Sequence, residues 1–210
     1  MSQQRLFNEY TTLKYIEKNT TIPVPKALRF EYIDKCFAIT TELVAGVPFD
    51  ELNPQIRSTS YLDDYVQTTV LPQLRVLRAR VSGTIDGIVL PPRRILDKHP
   101  RRQWSPRMSD QYEYRFVHND LSQHNFLCDE QTGRVTALID WEYSGFYPAY
   151  FEAPLWRSIH TEVEDDPEDD RRLLDFLGPS TTHRRSRSAI VTQAWVAAAK
   201  IAKVFRGNRP

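Results

Sequence analysis

Three side chains with oxygen ligands lie within one short stretch of this sequence. Asp120 and Asn125 are five residues apart on either side of a tight loop, and Asp140 follows a hairpin turn. Since a hairpin brings the ends of its two strands together, we expect Asn125 and Asp140 to lie close in space. Carboxylate and amide oxygens suit Mg²⁺, which keeps several waters and shares phosphate oxygens. Asp120 then remains to orient a hydroxyl group and accept its proton.

Short strands must position these residues. The pattern predicts strands over residues 114–118, 125–129 and 134–140, with a turn at 130–133 between the last two. Protein kinases use the same arrangement: an Asp, an Asn five residues later, and a second Asp after a hairpin. The spacing therefore predicts a phosphoryl-transfer site.

The remaining elements follow from hydrophobic periodicity and from Gly and Pro positions. We predict a helix over 3–18, strands over 26–32 and 37–44 with a turn at Asp34-Lys35, and a long connection over 83–115. A helix over 60–81 should be capped by Ser60, kinked at Pro72 and ended by Gly83. Beyond Trp141 we expect helical structure, including short and long helices over 171–177 and 188–205.

Composition narrows the classes of protein. The chain has 210 residues, is 40% hydrophobic and carries a formal net charge of +1. That is enough apolar material for a core, and no strong field favours nucleic acid or an anionic membrane. No apolar run is long enough to span a bilayer and no signal peptide is evident, so we expect no membrane partner and a cytoplasmic location. Cys36 and Cys128 are expected to be buried strand residues.

Two motifs resemble those of a known family. The segment HNDLSQHN (118–125), together with IDWEYSGFYP (139–148), closely resembles the aminoglycoside phosphotransferase and choline kinase-like family, and within it the large fungal branch. Weaker similarities occur at 20–25, 41–46 and 88–94. The resemblance implies an α+β, protein-kinase-like fold. Residues 1–45 would form an incomplete N-terminal lobe, and residues 46–210 a mainly helical C-terminal lobe.

The resemblance also implies a role for individual residues. Asp120 would be the catalytic base, and Asn125 and Asp140 would be the Mg²⁺ ligands. Glu9 would stand where the family places the glutamate that pairs with a nucleotide-binding lysine. The backbone around Glu42, Leu43 and Val44 would contact adenine. ATP would be the phosphoryl donor, and a small-molecule hydroxyl of unidentified structure would be the acceptor.

One departure from the family pattern keeps alternatives open. Family members carry strands with a phosphate-covering loop and the lysine before the helix of Glu9, and this sequence begins almost at that helix. A catalytically inactive pseudokinase, serving as a ligand- or protein-binding module, is therefore an alternative to an active phosphotransferase. A truncated gene product is a further one.

Several side chains have two interpretations each. His118 could be a buried structural residue or, with Asp120 and His124, a zinc ligand; the first is preferred. Core packing is preferred over a substrate-stacking platform for the aromatic residues after Asp140, namely Trp141, Tyr143, Phe146 and Tyr147. A solvated face is preferred over a site for a cationic substrate for Glu152 and residues 162–170. Exposed loops are preferred over anion binding for Arg93, Arg94, Arg101, Arg102, Arg107, Arg184, Arg185 and Arg187.

Overall fold

The computed structural model describes residues 3–99, 103–158 and 166–178, which all belong to one compact unit, Met1–Ser180. The predicted division into residues 1–45 and 46–210 stays a prediction. In chain order the elements are α1 (Gln3–Asn19), β1 (Ala27–Ile33), β2 (Cys36–Thr41), β3 (Val47–Pro48), α2 (Thr59–Tyr65), α3 (Leu71–Val76), β4 (Arg78–Ala79), α4 (Arg93–Lys98), β5 (Tyr114–Val117), β6 (Phe126–Cys128), β7 (Val135–Leu138), β8 (Gly145–Tyr147) and α5 (Pro167–Leu177).

Helix α1 confirms the helix predicted over residues 3–18. Leu13 and Ile16, three residues apart, are buried in the core, as expected for one face of an amphipathic helix. Another part of the helix packs on the hairpin that follows it. The ring of Phe7 meets that of Phe30 edge-on, with 5.1 Å between centroids. These contacts fix α1 between the hairpin and the rest of the unit.

The hairpin of β1 and β2 also agrees with prediction, except for the end of β2 and the exposure of Cys36. Asp34 and Lys35 form its turn with φ values of 48° and 68°. Strand β2 ends at Thr41 rather than Val44. The prediction that Cys36 is buried is wrong, because this residue begins β2 beside the turn and is exposed.

The helix predicted over residues 60–81 begins two residues earlier than its expected cap implies. The Ser58 hydroxyl, not that of Ser60, accepts the Tyr61 backbone N–H at 3.2 Å. Ser58 has extended backbone angles, with φ −113° and ψ 104°, which a capping residue needs. Helix α2 therefore starts at Thr59.

The helix that begins at Thr59 changes to π-helical geometry and ends before its predicted last residue. Ahead of Pro72 the backbone adopts π-helical geometry over residues 66–70, and the Leu71 N–H bonds the Val66 carbonyl five residues back. Proline cannot donate a helical hydrogen bond and crowds the preceding turn, so the expected disruption occurs here. Helix α3 ends at Val76, and the prediction that the helix continues to Val81 is wrong.

Two three-stranded antiparallel sheets carry the motif residues. Their strand orders are β3-β6-β7 and β4-β5-β8. Strands β5, β6 and β7 confirm the three predicted strands around the oxygen ligands. Gly133 has a φ of 68° in the turn between β6 and β7, a conformation that glycine adopts without strain. The loop with Asp120 and Asn125 therefore connects β5 to β6, and Asp140 follows the end of β7.

The prediction of helical structure directly after Trp141 is wrong. Residues 145–147 form β8, and single 3₁₀ turns follow at 149–151 and 155–157. Pro148 and Pro154 precede these turns, and each removes a backbone donor that a longer helix would need. The segment therefore pairs with β5 instead of coiling.

Helix α5 is longer than the helix predicted over 171–177. It begins at Pro167, where the Asp166 carboxylate accepts the backbone N–H groups of Glu168 and Asp169 at 3.0 and 3.2 Å. It ends at Leu177 and is followed by Gly178, which has a φ of 77°. The helix predicted over 188–205 and most of the acidic run before Asp166 lie outside the described residues.

Two groups of buried side chains form the core. The larger one joins α1, the α2–α3 segment, β6 and the loop after β7, and includes Leu62, Phe116 and Trp141. The smaller one joins β5, the turn at 149–151 and α5. Within the described ranges, every helix is too short or too polar to cross a lipid bilayer.

A glycine that pairs with β8 provides a prediction about the fold. A Cβ on Gly83 would lie 2.4 Å from the Ile88 carbonyl oxygen, and φ there is +117°. Gly83→Ala should destabilise the chain by about 3 kcal/mol, because strain and a backbone clash add. Gly87→Ala is the matched control, since φ is +78° but nothing lies within 4 Å; it should cost about 1 kcal/mol. Urea unfolding checks both, and equal losses would contradict the clash.

Candidate active site

The loop after β5 holds the predicted base in place through His118. The imidazole of this residue is fully buried. Its Nε2 lies 3.0 Å from the Ile139 carbonyl, and its Nδ1 accepts the Asp120 backbone N–H at 3.3 Å. Burial lowers the pKa of His118 to about 4, against the opposing effect of the Asp120 carboxylate. The ring is therefore neutral at pH 7, and the structural interpretation of His118 is confirmed.

The side chain of Asp120 meets a serine hydroxyl. Ser122 Oγ donates to Asp120 Oδ1 at 2.7 Å and accepts from Asn125 Nδ2 at 3.2 Å. Asn125 Nδ2 also donates to the Asp120 carbonyl at 2.9 Å. Since both hydrogens of this amide are used, its Oδ1 is the atom that remains for a cation.

Strand pairing brings Asp140 to the same place, as the hairpin predicts. Phe126 pairs with Leu138 between β6 and β7, and the Ile139 N–H donates to the Asn125 carbonyl at 3.0 Å. Asp140 follows directly, with a φ of 63°. The register therefore sets Asp140 beside Asn125 at the end of the hairpin.

Glu9 belongs to the same group of carboxylates. Burial, followed by the charges of Asp140 and Glu142, raises the pKa of Glu9 to about 7. Burial, followed by Glu142 and Asp120, raises the pKa of Asp140 to about 6. The structure thus brings Glu9, Asp120, Asn125 and Asp140 together, and the negative charge there is only partly balanced.

Arg5 and Glu142 were not identified from the sequence as parts of this site. Arg5 donates to Glu142 Oε1 at 3.1 Å and to the Tyr143 hydroxyl. Glu142 Oε2 is buried and has no hydrogen-bond partner among the described residues. The signal for Arg5 is its position one helical turn before Glu9, on the same face of α1.

Helix α1 is joined to the loop after Asp140 by buried polar side chains. Asn8 Nδ2 donates to the carbonyls of Glu142 and Ser144 at 3.0 and 2.9 Å. Thr12 Oγ1 lies 2.8 Å from the Ser144 hydroxyl. These bonds hold the helix that carries Glu9 against the loop that carries Asp140.

The donors fit a hard divalent cation. An amide oxygen of Asn125 and the carboxylate of Asp140 are ligands of the kind Mg²⁺ takes. Glu142 pairs with Arg5 through Oε1, and its buried Oε2 has no hydrogen-bond partner among the described residues. Across the described ranges, no three or more His, Cys, Asp or Glu side chains are gathered so as to hold a metal ion. An ion here would therefore need ligands from water or a phosphate, as Mg²⁺ commonly does.

Glu152 holds the backbone of the loop that follows β5. Its carboxylate accepts the backbone N–H groups of His118 at 2.5 Å and Asn119 at 3.1 Å. Burial raises the pKa of Glu152 to about 7, although these two bonds act in the opposite direction. The prediction that Glu152 belongs to a solvated face is wrong. The sequence did contain a signal, which is a single acid between two aromatic residues, Phe151 and Trp156. The structure buries both aromatic residues.

The raised pKa of Glu152 predicts a pH-dependent cost of substitution. Because the folded pKa of about 7 exceeds the ordinary 4.5, stability from this group is present at low pH and is lost as pH rises towards 7. Glu152→Gln removes that dependence and one of the two acceptors. It should therefore be more destabilising at pH 5 than at pH 8, by about 2 kcal/mol.

Urea unfolding at the two pH values measures this difference. Glu17→Gln, on the exposed face of α1, is the charge-matched control and should show none. An equal destabilisation of Glu152→Gln at pH 5 and pH 8 would contradict the assignment of a buried, proton-binding carboxylate.

The predicted adenine-binding segment follows β2. The Glu42 N–H is engaged by the Lys26 carbonyl at 2.9 Å, so this amide is not available to a base. Leu43 is 95% exposed and Val44 is half-buried. No hydrogen bond or ion pair within the described ranges joins this segment to the carboxylates, and its contact with adenine remains a prediction.

Two other interpretations are settled by burial and pairing. Trp141, Tyr143 and Tyr147 are buried, which confirms core packing for these aromatic residues. Arg94 pairs with Asp169 at 2.8 Å. The prediction of exposed loops is wrong for Arg93 and Arg94, because both lie in helix α4 and the Arg94 side chain is mostly buried. Arg93 pairs with Asp97, and Arg107 donates to the Asp175 carbonyl at 2.9 Å. Residues 101–102 and 184–187 lie outside the described residues.

Comparisons with known proteins define first the fold and then the family. The structure is similar to the crystal structure of an aminoglycoside-3'-phosphotransferase of type VIII, with a TM-score of 0.50, 18% sequence identity, and coverage of 83% of this chain and 80% of that one. It also matches a thermostable mutant of aminoglycoside phosphotransferase APH(4)-Ia in a ternary complex with ADP and hygromycin B. That match has a TM-score of 0.44 and 18% identity, and covers 68% of this chain and 59% of that one. No curated protein matches the sequence.

The first similarity shows the mixed helix and strand fold of aminoglycoside phosphotransferases, which is protein-kinase-like. The model of the phosphotransferase enzyme family matches residues 61–190. That range is more than half of the chain and contains Asp120, Asn125 and Asp140. The chain belongs to the phosphotransferase enzyme family.

Proposed function

We propose that this protein transfers the terminal phosphoryl group of ATP to a hydroxyl group of a small molecule, in a Mg²⁺-dependent reaction. The observation that carries the proposal is the hydrogen-bonded connection of Asp120, Asn125 and Asp140. Ser122 links the first two residues, and pairing of Ile139 with Asn125 places the third beside them. Family membership supports phosphoryl transfer, and this group of side chains offers a candidate base and two candidate metal ligands for it.

In the proposed reaction Asp120 orients the substrate hydroxyl and takes its proton. The hydroxyl oxygen forms a bond to the terminal phosphorus while the bond from that phosphorus to the leaving ADP oxygen breaks. Positioning by Asp120 lowers the barrier because the attacking oxygen is held in line, and proton acceptance prevents charge from building on it. The neutral His118 keeps the loop backbone in register during this step.

Asn125 and Asp140 are the residues that would hold Mg²⁺. When bound, the ion would neutralise phosphate oxygens and stabilise the charge of the leaving group. It would also offset the carboxylate repulsion that, after burial, raises the pKa of Asp140 and Glu9. We further propose that Glu9 takes the place of the family's glutamate that pairs with a nucleotide-binding lysine, and that backbone groups of 43–44 contact the adenine.

Turnover with candidate acceptors tests the proposal. Purified protein is incubated with ATP, with or without Mg²⁺, and with aminoglycosides, choline, homoserine or sugars, and ADP and the phosphorylated product are followed by ³¹P NMR. We expect Mg²⁺-dependent ADP formation that increases with one class of acceptor. Binding of ATP and Mg²⁺ without any transfer would favour the inactive binding module, and absence of both binding and transfer would contradict the proposal.

A further inference from the structure

Ser122 has more hydrogen bonds to the candidate catalytic groups than any role assigned so far explains. Its side chain is buried, with 2% exposure. Its Oγ is 2.7 Å from Asp120 Oδ1, 3.2 Å from Asn125 Nδ2 and 3.3 Å from His124 Nε2. One hydroxyl group thus touches the base, a metal-ligand candidate and the imidazole between them in sequence.

The chemistry of the three partners fixes the direction of each bond. An ionised carboxylate only accepts and an amide NH₂ only donates, so Ser122 gives its one hydrogen to Asp120 and accepts from Asn125. The second lone pair of Oγ is left for His124 Nε2. All hydrogen-bonding capacity of the hydroxyl is then used, which leaves it a single orientation.

The hydrogen bond from Ser122 makes the two carboxylate oxygens of Asp120 different. Oδ1 is occupied by the Ser122 hydroxyl. Oδ2 is the oxygen that remains to accept a proton from a substrate. The same hydroxyl also holds the Asn125 amide so that its second hydrogen reaches the Asp120 carbonyl at 2.9 Å.

We propose that Ser122 is a positioning residue for phosphoryl transfer: its hydroxyl fixes the Asp120 carboxylate relative to the Asn125 amide and reserves Oδ2 of Asp120 for the substrate hydroxyl. The proposal rests on the function proposed above. Loss of the hydroxyl frees the Asp120 carboxylate to rotate and removes one acceptor from Asn125. A small displacement of a base lowers the rate of the chemical step more than it lowers binding.

Three variants separate positioning from a structural role. Ser122→Ala removes the hydroxyl, and Ser122→Thr keeps it. Ser82→Ala is the matched control, because Ser82 is equally buried at 2% exposure and its Oγ accepts the Arg107 N–H at 2.8 Å, away from the site. Each variant is compared with the wild type in Mg²⁺-ATP turnover and in its urea unfolding midpoint.

We expect Ser122→Ala to lower kcat by about 10-fold to 50-fold with the KM for ATP changed by less than about 2-fold. Ser122→Thr should recover kcat to within about 3-fold of wild type, since the donor is restored. Ser82→Ala should lower the unfolding midpoint without lowering kcat. A Ser122→Ala variant with unchanged kcat would overturn the proposal, and so would an equal loss of kcat in Ser82→Ala.

A second measurement does not depend on turnover. Hydrogen exchange of the Asn125 side-chain amide, followed by ¹⁵N NMR, should be about 10-fold faster in Ser122→Ala than in wild type, Ser122→Thr or Ser82→Ala. Unchanged exchange in Ser122→Ala would overturn the proposed link. A third outcome is the expected exchange pattern together with no turnover in the wild type or any variant. That outcome would overturn both the proposed function and the positioning role, and only the hydrogen-bonded link between Ser122 and Asn125 would stand.

Discussion

Asp120→Asn should lower turnover by about 10³-fold or more while leaving the fold intact. Asparagine has the same shape, and its carbonyl oxygen still accepts the Ser122 hydroxyl that Asp120 Oδ1 accepts at 2.7 Å. What is lost is an acceptor for the substrate proton at the position of Oδ2. The loss is therefore chemical, and steady-state kinetics with the best acceptor measures it as a fall in kcat.

The control for this variant is Asp64→Asn, which removes the same charge from an exposed residue of α2. It should leave kcat within about 2-fold of wild type, since distant exposed charges are screened. Circular dichroism and urea unfolding establish that both variants fold. Retention of more than about a tenth of wild-type kcat in Asp120→Asn would exclude Asp120 as the general base.

Asp140→Asn should separate metal binding from stability. The φ of 63° at this residue is tolerated by asparagine better than by most residues, so the loop should keep its shape. Replacing a carboxylate ligand by an amide should raise the Mg²⁺ concentration required for half-maximal activity by about 10²-fold. Titration of activity with Mg²⁺ at saturating ATP measures this change.

The same substitution should stabilise the metal-free protein. Because burial and the carboxylates of Glu142 and Asp120 raise the folded pKa of Asp140 to about 6, above the ordinary 3.8, ionisation of Asp140 lowers stability as pH rises through this range. Asp140→Asn should therefore be more stable than wild type at pH 8, by about 1 to 2 kcal/mol after allowance for partial exposure. The gain should be absent near pH 4.

Urea unfolding at pH 8 and pH 4 without metal measures the gain, with Asp64→Asn again as the control. A variant that binds Mg²⁺ normally would contradict the assignment of Asp140 as a ligand. A variant that is less stable than wild type at pH 8 would contradict the picture of several carboxylates in mutual repulsion.

The oxygen-ligand site was predictable because its geometry is local. Asp120 and Asn125 lie on one short loop, and the turn at Gly133 determines the hairpin register that brings Asp140 to Asn125. The spacing of the motif residues is therefore enough to predict that these three side chains lie close together. The hairpin at Asp34-Lys35 was predictable for the same reason.

Features that depend on long-range packing were not predictable. Glu152 is 34 residues from His118 in sequence, and only the folded chain brings its carboxylate to the loop backbone. The aromatic run after Trp141 has helical spacing in part, but pairing of Phe146 with Phe116 in β8 and β5 decides its conformation. Helix α3 ends at Val76 because the next residues pair as β4, a partner that periodicity does not reveal.

Thermal unfolding with ATP and Mg²⁺ tests the central claim most directly, since binding to the folded state raises the melting temperature. At about 100 times the dissociation constant, the wild-type melting temperature should rise by about 5 to 10 °C with ATP and Mg²⁺ together. ATP alone should give a smaller shift, and Asp140→Asn should lose the part that depends on Mg²⁺. No shift in wild type, or a Mg²⁺-dependent shift of equal size in Asp140→Asn, would contradict a nucleotide and metal site at Asn125 and Asp140.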